Sequence, residues 1–300
     1  MALSLRVLFI ITVLSYPLLG LTAESVRLRH VVSVYADEKG AGLRHPEGVA
    51  CNDKSLLLVG DTGNGRLVRF TFQEGSVKGG TEIRVPQLSN PIRIQISSKG
   101  EIFALDGKAR RIARLAADGS FKGYVTAEGA SPSVMVPKSF RLDRDDAIYV
   151  LDVFSARVLL LNADGKFQKQ IEFPKEYGFI SDLAVDPKGN VLLVDPVKGR
   201  VFSAARNATS FSPLGPSLKE HLSFPASLTT DTRGTMYITD ENGGAIGILS
   251  QDGSFLGKQL SMGWTEGLLY YPGQVCVNEK GETFIADRGN SRVQIFTPVK

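Results

Sequence analysis

The chain has 300 residues, 35 basic against 31 acidic side chains, a formal net charge of +4 and 43% hydrophobic content. Basic and acidic residues are interspersed, which argues against a nucleic-acid partner or an anionic membrane surface. Two cysteines are too few for a fold held together by disulfides. The length and composition predict a single domain with a large core.

The first 23 residues are organised like a secretory signal peptide. Arg6 precedes an apolar run over residues 7–21, and Leu21-Thr-Ala23 offers a small-residue cleavage site. The run is shorter than the roughly 20 residues of a spanning helix. We therefore predict cleavage after Ala23, a mature domain of residues 24–300 without a membrane span, and a secreted or periplasmic protein. An uncleaved anchor is the alternative.

The rest of the chain is repetitive, because an aspartate closes a short apolar run at intervals of 43 to 47 residues. A period of this length indicates structural repeats. Each unit contains two alternating apolar runs joined by a polar turn, a third run after the aspartate and, in most units, a fourth after another turn. The six aspartates are Asp61, Asp106, Asp152, Asp195, Asp240 and Asp287.

Four antiparallel strands per unit, repeated six times, predict an all-β fold: a six-bladed β-propeller of four-stranded antiparallel blades. The last unit ends after its third strand, at Phe296-Thr-Pro-Val-Lys300. Residues 26–35 precede the first unit and are strand-like. We expect this N-terminal strand to complete the last blade and close the ring, because an unpaired sheet edge is a liability.

Five of the six aspartates have an arginine five positions later. The aspartate can accept hydrogen bonds from the turn that follows it, and the arginine can reach the carboxylate bidentately. Repetition in five blades favours a structural role, since a catalytic pair is not needed five times. Asp240 has no such arginine. The predicted structural pairs are Asp61–Arg66, Asp106–Arg111, Asp152–Arg157, Asp195–Arg200 and Asp287–Arg292.

Three segments resemble NHL repeats: Pro46-Glu-Gly-Val-Ala50, Asp61-Thr-Gly-Asn-Gly-Arg66 and Asp287-Arg-Gly-Asn-Ser-Arg292. The resemblance is specific in blades one and six and degenerate in blades two to five. It implies a six-bladed propeller. It does not imply one function, because NHL relatives include enzymes, RNA binders, sensor domains and scaffolds.

The innermost strand of each blade should line a central channel. Counting along these strands places basic and amide side chains of blades two and three near the axis, opposed by two carboxylates. We predict a locally basic channel that binds an anionic group of a small ligand or of a partner; a water-filled channel with mutually neutralising charges is the alternative. The candidates are Glu47, Arg93, Gln95, Lys138, Arg141 and Asp182.

The loops that join second to third strands and the loops that lead into each blade share one face, here called the long-loop face. The opposite, short-turn face carries the tight turns. Residues 261–271 of the long-loop face contain the only tryptophan. Trp264, Tyr270 and Tyr271 are therefore candidates for a partner surface or a sugar-stacking site. The alternative is packing between blades five and six.

Metal-dependent catalysis is the alternative function. The chain is similar in architecture to gluconolactonase-like propellers, which use a glutamate of the first innermost strand, and Glu47 matches that role. Ser181 and Ala226 cannot supply the remaining oxygen ligands, and Asp182 is one residue out of register. Amidating lyases of the NHL class hold zinc through histidines, and the three histidines here lie on separate segments. We expect no cofactor; Glu47 and Asp182 are the weak alternative for a divalent cation such as calcium.

Cys51 and Cys276 fall on the innermost strands of blades one and six, which become neighbours when the ring closes. The sequence leaves open whether they form a disulfide across this interface or remain two buried thiols.

The chain also lacks a Gly-x-Ser-x-Gly, Cys-x-x-Cys or phosphate-loop motif. The predicted function is a non-catalytic binding or scaffold propeller that recognises another protein, an envelope component or a small ligand. The alternative is a lactonase-like metal-dependent hydrolase or lyase with its site at the channel mouth.

Overall fold

The computed structural model describes residues 26–299, so the predicted signal peptide lies outside the described residues. Over that range, six four-stranded antiparallel sheets form a six-bladed β-propeller. The predicted fold class is confirmed. None of the helices in the described range is long and apolar enough to cross a bilayer.

The strands of the first three blades follow the predicted units. The N-terminal strand is β1 (Arg27–Val34). Blade one contains β2 (Gly48–Cys51), β3 (Leu56–Asp61), β4 (Arg66–Gln73) and β5 (Ser76–Ile83). Blade two contains β6 (Pro91–Ile96), β7 (Ile102–Asp106), β8 (Arg111–Leu115) and β9 (Phe121–Tyr124). Blade three contains β10 (Pro137–Leu142), β11 (Ile148–Asp152), β12 (Arg157–Leu161) and β13 (Phe167–Glu172).

The remaining blades repeat this order, and 3-10 helices at Thr62–Asn64 and Arg288–Asn290 occupy the turns of blades one and six. Blade four contains β14 (Asp182–Val185), β15 (Val191–Asp195), β16 (Arg200–Ala204) and β17 (Ser212–Leu214). Blade five contains β18 (Pro225–Thr230), β19 (Met236–Asp240), β20 (Ala245–Leu249) and β21 (Phe255–Gln259). Blade six contains β22 (Val275–Val277), β23 (Thr283–Asp287) and β24 (Arg292–Val299).

The hydrophobic core lies between the blades. Second strands such as β11 and β15 are buried along their whole length, because both of their faces pack against neighbouring blades. Fourth strands such as β13 are mostly half-buried or exposed, with Ile171 as the one buried position of β13. This gradient explains why the second run of each unit is continuously apolar and the outer runs alternate.

The ring closes as predicted, because β1 pairs antiparallel with β24, from Arg27 opposite Val299 to Val34 opposite Val293. A covalent link also joins blade one to blade six closer to the axis. Cys51 on β2 and Cys276 on β22 form a disulfide with a Cα–Cα distance of 5.9 Å. Of the two alternatives that the sequence left open, the structure contains the cross-link.

The disulfide should stabilise the closed ring, because it joins residues 225 positions apart and so constrains the unfolded chain. We expect replacement of Cys51 and Cys276 by serine to lower the free energy of unfolding by about 2–5 kcal/mol. Thermal unfolding with and without dithiothreitol checks this. The reductant should lower the Tm of the wild type and leave the double variant unchanged; an equal response of both would contradict the assignment.

Candidate functional site

The candidate site is the central channel, whose walls are the open edges of six strands. β2, β6, β10, β14, β18 and β22 each stand at the edge of their sheet. Their axial N–H and C=O groups need partners, because an unpaired polar group in the protein interior is costly. Side chains that reach from one blade to the next supply several of these partners.

Asp182, the first residue of β14, is wholly buried and connects three blades. Its carboxylate accepts hydrogen bonds from the hydroxyl of Ser139 in blade three and from the hydroxyl of Ser227 in blade five, the latter at 2.7 Å. It also accepts one from the backbone N–H of Leu228 at 3.0 Å. The carboxylate thus satisfies an N–H on the open edge of β18.

Arg141 of β10 lies beside Asp182, and its guanidinium is likewise hydrogen-bonded within the protein. Its Nε donates to the carbonyl oxygen of Leu183 at 2.9 Å, and its Nη2 donates to the carbonyl oxygen of Leu228. The same Nη2 lies 3.4 Å from Asp182 Oδ2. These donors are engaged within the protein, where they satisfy open-edge carbonyls of blades four and five.

Gln274 performs the matching role on the other side of the axis. Its Oε1 accepts from the backbone N–H of Val49 at 3.2 Å and of Ile94 at 3.0 Å, and its Nε2 donates to the Ile94 carbonyl at 3.0 Å. It therefore joins blade six to blades one and two. Gln274 was not among the predicted site residues; its place two positions after the proline that opens blade six was the available signal.

The surroundings of Asp182 favour its charged form. Burial alone would raise its pKa, but the Arg141 and Arg93 charges and the hydroxyls of Ser139 and Ser227 together hold the pKa below its ordinary value. The carboxylate is thus ionised at neutral pH and neutralises the buried guanidinium beside it. This pair is a structural unit, because removing either charge would leave the other uncompensated.

Glu47, Arg93 and Lys138 lie around the channel mouth on the long-loop face, whereas Gln95 lies toward the short-turn end of β6. Glu47 and Arg288 approach to 3.9 Å, and Arg288 also pairs with Glu241. Arg93 donates to the Ile92 carbonyl at 2.9 Å, but its buried Nε has no hydrogen-bond partner and lies 4.0 Å from Asp182. The guanidinium of Arg93 therefore retains hydrogen-bonding capacity.

Lys138 is the cation of the mouth with the fewest partners. It is half-buried, and no carboxylate lies within 4.0 Å of it in the described range. Burial and the nearby Arg93 charge lower its pKa, against the weaker opposing effect of Glu47, Asp182 and Glu241. Gln95, the last of the predicted residues, donates to the carbonyl of Ile94, its neighbour in the chain, at 2.8 Å.

The residues proposed for a divalent cation do not fit that role. Asp182 accepts hydrogen bonds from protein donors and faces Arg141, while Glu47 faces Arg288. Calcium needs several converging oxygens that are free of such partners. Within residues 26–299 there is no group of three or more His, Cys, Asp or Glu residues arranged to hold a metal.

A cavity of about 470 Å³ opens at the opposite end of the axis, on the short-turn face. Asp143, Asp186 and Asp231 are among its lining residues. Each of these carboxylates accepts backbone hydrogen bonds from its own turn, for example from Lys188 and Asn190 to Asp186 at 2.8 Å. These aspartates close hairpins, so they give the cavity no recognisable chemistry.

The repeated Asp-to-Arg spacing produces an ion pair in three of the five predicted blades. The Nε–Oδ2 distances are 2.7 Å for Asp61–Arg66, 3.0 Å for Asp152–Arg157 and 2.7 Å for Asp287–Arg292. The contact uses one guanidinium nitrogen rather than the bidentate geometry expected, because the other nitrogens bind loop carbonyls and other side chains.

The other two predicted pairs differ. Arg111 lies over the ring of Tyr124, 3.5 Å from its centroid, and not on Asp106. Arg200 forms no ion pair within the described part of the chain, and Asp195 instead accepts backbone hydrogen bonds from the long-loop face. The aspartate of the turn is thus bound to backbone in every blade, including Asp240 of blade five.

The aromatic candidates lie on the long-loop face between blades five and six. Trp264 is 74% exposed, Tyr271 is 37% exposed and Tyr270 is half-buried. Their rings are in contact, with centroids 5.9 Å apart for Trp264–Tyr270 and 4.6 Å for Tyr270–Tyr271. The tryptophan therefore stands on a partly buried tyrosine base rather than filling the gap between the blades.

This aromatic group is part of a wider asymmetry. Eleven large hydrophobic residues are exposed among those described, and ten of them lie on the long-loop face. Only Val299, at the end of β24, lies elsewhere. The ten are Tyr35, Val134, Val153, Phe154, Tyr177, Phe179, Val197, Met262, Trp264 and Tyr271. Most were not singled out by the sequence, in which a loop valine or phenylalanine resembles any core residue.

Residues 269–296, which include β22, β23 and the first five residues of β24, match the family model of the NHL repeat. Blade six carries an NHL repeat. The predicted resemblance is confirmed by this match and by the six-bladed architecture. A search of curated protein sequences found no match to the chain.

Several solved structures share the fold. Virginiamycin B lyase from Staphylococcus aureus is 14% identical, with a TM-score of 0.63 over 92% of this chain and 100% of that chain. A gluconolactonase from Xanthomonas campestris is 14% identical, with a TM-score of 0.67 over 91% and 90%. The PQQ-bound aldose sugar dehydrogenase from Streptomyces coelicolor is 14% identical, with a TM-score of 0.63 over 92% and 99%. At such identities the likeness shows the fold alone.

The Asp182 cluster predicts a large and pH-dependent effect of neutralising this residue. We expect Asp182→Asn to lower the free energy of unfolding at pH 7 by about 3 kcal/mol or more, because Arg141 loses its buried counter-charge. Since the folded-state pKa of Asp182 is depressed, its contribution is present above the ordinary pKa of about 4 and is lost as the pH falls further.

Urea unfolding of wild type and variant between pH 7 and pH 3 measures this difference. It should shrink below about pH 4, where the Asp182 carboxyl of the unfolded chain becomes protonated, and continue to shrink as the pH approaches the lower pKa of the folded protein. Asp145→Asn, at an exposed turn position, is the matched control and should change little at any pH. A constant difference across the pH range would contradict the ionised state of Asp182.

Proposed function

We propose that this protein is a secreted or periplasmic, non-catalytic binding propeller that recognises a partner through its long-loop face. The observation that supports this most directly is that, of the eleven large hydrophobic residues exposed among residues 26–299, ten lie on that face. Monomeric proteins rarely expose large contiguous apolar patches unless these bind something. Among residues 26–299, the short-turn face, whose tight turns are closed by aspartates, exposes no comparable set of large hydrophobic residues.

The hydrogen bonding of the channel residues also supports this proposal, because it argues against a catalytic site there. Catalysis requires polar groups with free capacity that converge on a reacting atom. Asp182, Arg141 and Gln274 are instead engaged with open strand edges. An enzyme alternative has in its favour the fold likeness and the free hydrogen-bonding capacity of Arg93 and Lys138 at the mouth. A stoichiometric, tightly bound divalent ion in the purified protein would contradict the non-catalytic assignment.

Site-specific photo-cross-linking tests which face binds. A benzophenone amino acid at Trp264 or Phe154 should give an adduct of discrete mass with envelope material from the source organism, because both side chains are exposed on the long-loop face. The matched control is Lys280, an exposed residue in the turn between β22 and β23 on the short-turn face. Adducts from Lys280 alone, or from no position, would contradict the proposal.

A further inference from the structure

Six of the ten exposed hydrophobic residues lie in the long-loop-face loops of blades three and four, and one of them, Phe179, lies beside Lys138 at the channel mouth. We call them the blade 3–4 patch: Val134, Val153, Phe154, Tyr177, Phe179 and Val197. We propose that this patch is the docking site for a segment of a partner protein that carries apolar side chains next to a carboxylate, with the carboxylate received by Lys138. This inference rests on the proposed function and names the chemistry of its partner.

The position of Lys138 argues for the carboxylate. Its Nζ lies 5.4 Å from the ring centroid of Phe179, so the charge borders the apolar patch directly. It is half-buried at the start of β10, with Arg93 as a repulsive neighbour and no carboxylate within 4.0 Å in the described range. A carboxylate bound there would gain a charge-assisted hydrogen bond in a partly desolvated setting.

The blade-three part of the patch is held in place by the turn aspartate. Asp152 Oδ1 accepts hydrogen bonds from the backbone N–H of Val136 at 2.9 Å and of Phe154 at 3.1 Å. Arg157 donates to the carbonyl oxygens of Ser131 and Pro132, at 3.0 and 2.6 Å. The backbones on either side of Val134 and at Phe154 are therefore fixed before a partner arrives.

In blade four the turn aspartate also holds the backbone of the patch in place. Asp195 accepts backbone hydrogen bonds from Gly178 at 2.6 Å, Phe179 at 3.2 Å and Lys198 at 2.9 Å. Gly178 also packs so tightly that a Cβ at this position would lie 2.9 Å from Cβ of Val197. Because these segments are already ordered, binding pays little conformational entropy for them.

The recessed cation favours a protein segment over a membrane surface. A flat bilayer can contact exposed tips such as Phe154, which is 65% exposed, but a half-buried amine at the channel mouth lies behind them. An acidic side chain of a bound segment, or a chain terminus, has the length to reach inward while its neighbours cover the patch. Apolar contacts around a desolvated charge are also typical of protein-binding hot spots.

Peptide selection tests the partner chemistry. A phage-displayed random peptide library is selected against the full chain, and enriched peptides are synthesised with a fluorescent label for polarisation measurements. We expect enriched sequences to place an acidic residue or free C-terminus beside aromatic or aliphatic residues. Lys138→Met should weaken their binding about tenfold or more, which corresponds to about 1.4 kcal/mol, and Lys138→Arg should largely preserve it.

Two further measurements distinguish the contribution of the apolar patch from that of the Lys138 charge, and distinguish both from misfolding of a variant. Phe154→Ser should weaken binding to a similar degree, whereas Trp264→Ser, outside the patch, should not. Replacing the acidic residue of the peptide by its amide should reproduce the loss with the wild-type protein, so that the result does not depend on how a variant folds. The Tm of each variant is measured alongside.

The proposal is overturned if no acidic and apolar motif is enriched, or if binding is indifferent to Lys138→Met and to the amide peptide. It is also overturned if the protein sediments with phosphatidylglycerol vesicles and Phe154→Ser abolishes this, since the patch then serves a membrane. If one of these results is obtained but Trp264 still gives cross-links, the carboxylate proposal fails and the proposed binding function stands. If neither Trp264 nor Phe154 gives a cross-link, both proposals fail.

Discussion

Six strand edges that meet at one axis are the constraint on which this molecule depends. Each innermost strand has a neighbour on one side only, so its axial amides and carbonyls must find partners among side chains. Asp182 and Arg141 supply them on blades four and five, and Gln274 on blades one and two. The polar residues nearest the axis are thereby engaged in joining blades. Recognition is left to the rim of the channel and to the loops beyond it.

The recurring aspartates satisfy backbone N–H groups of the loops, as Asp182 and Gln274 do for the innermost strands. In each blade the carboxylate at the end of the second strand binds backbone N–H groups of the adjacent loop, whether or not an arginine follows. The backbone is therefore held the same way while the side chains it presents differ from blade to blade. Blades three and four present apolar side chains at these positions, and blade two presents Arg110 and Arg111. A constant hydrogen-bond scheme supports a variable surface.

The architecture was predictable because it is repeated: six copies of one pattern revealed strand order, blade number and ring closure through β1. Single contacts were less accessible. Arg111 has the expected spacing from Asp106 yet lies over Tyr124, since an exposed arginine has several partners in reach. The disulfide could not be predicted with the same certainty, because it depends on the distance and orientation of two strands that are far apart in the sequence. The blade 3–4 patch was missed because hydrophobic periodicity predicts burial, and nothing in the residue type of Phe154 or Phe179 indicates that its loop faces solvent.

The two basic residues of blade three show how neighbouring positions on one strand acquire opposite roles. Arg141, three residues beyond Lys138 on β10, is buried beside a carboxylate and backbone carbonyls, so its charge holds the fold together. Lys138 stands where the strand reaches the mouth, beside Phe179, and within the described range no carboxylate lies within 4.0 Å of it. A cation that the fold does not neutralise costs stability unless something else compensates it. At Lys138, beside an ordered apolar surface, a carboxylate of a bound partner would supply this compensation.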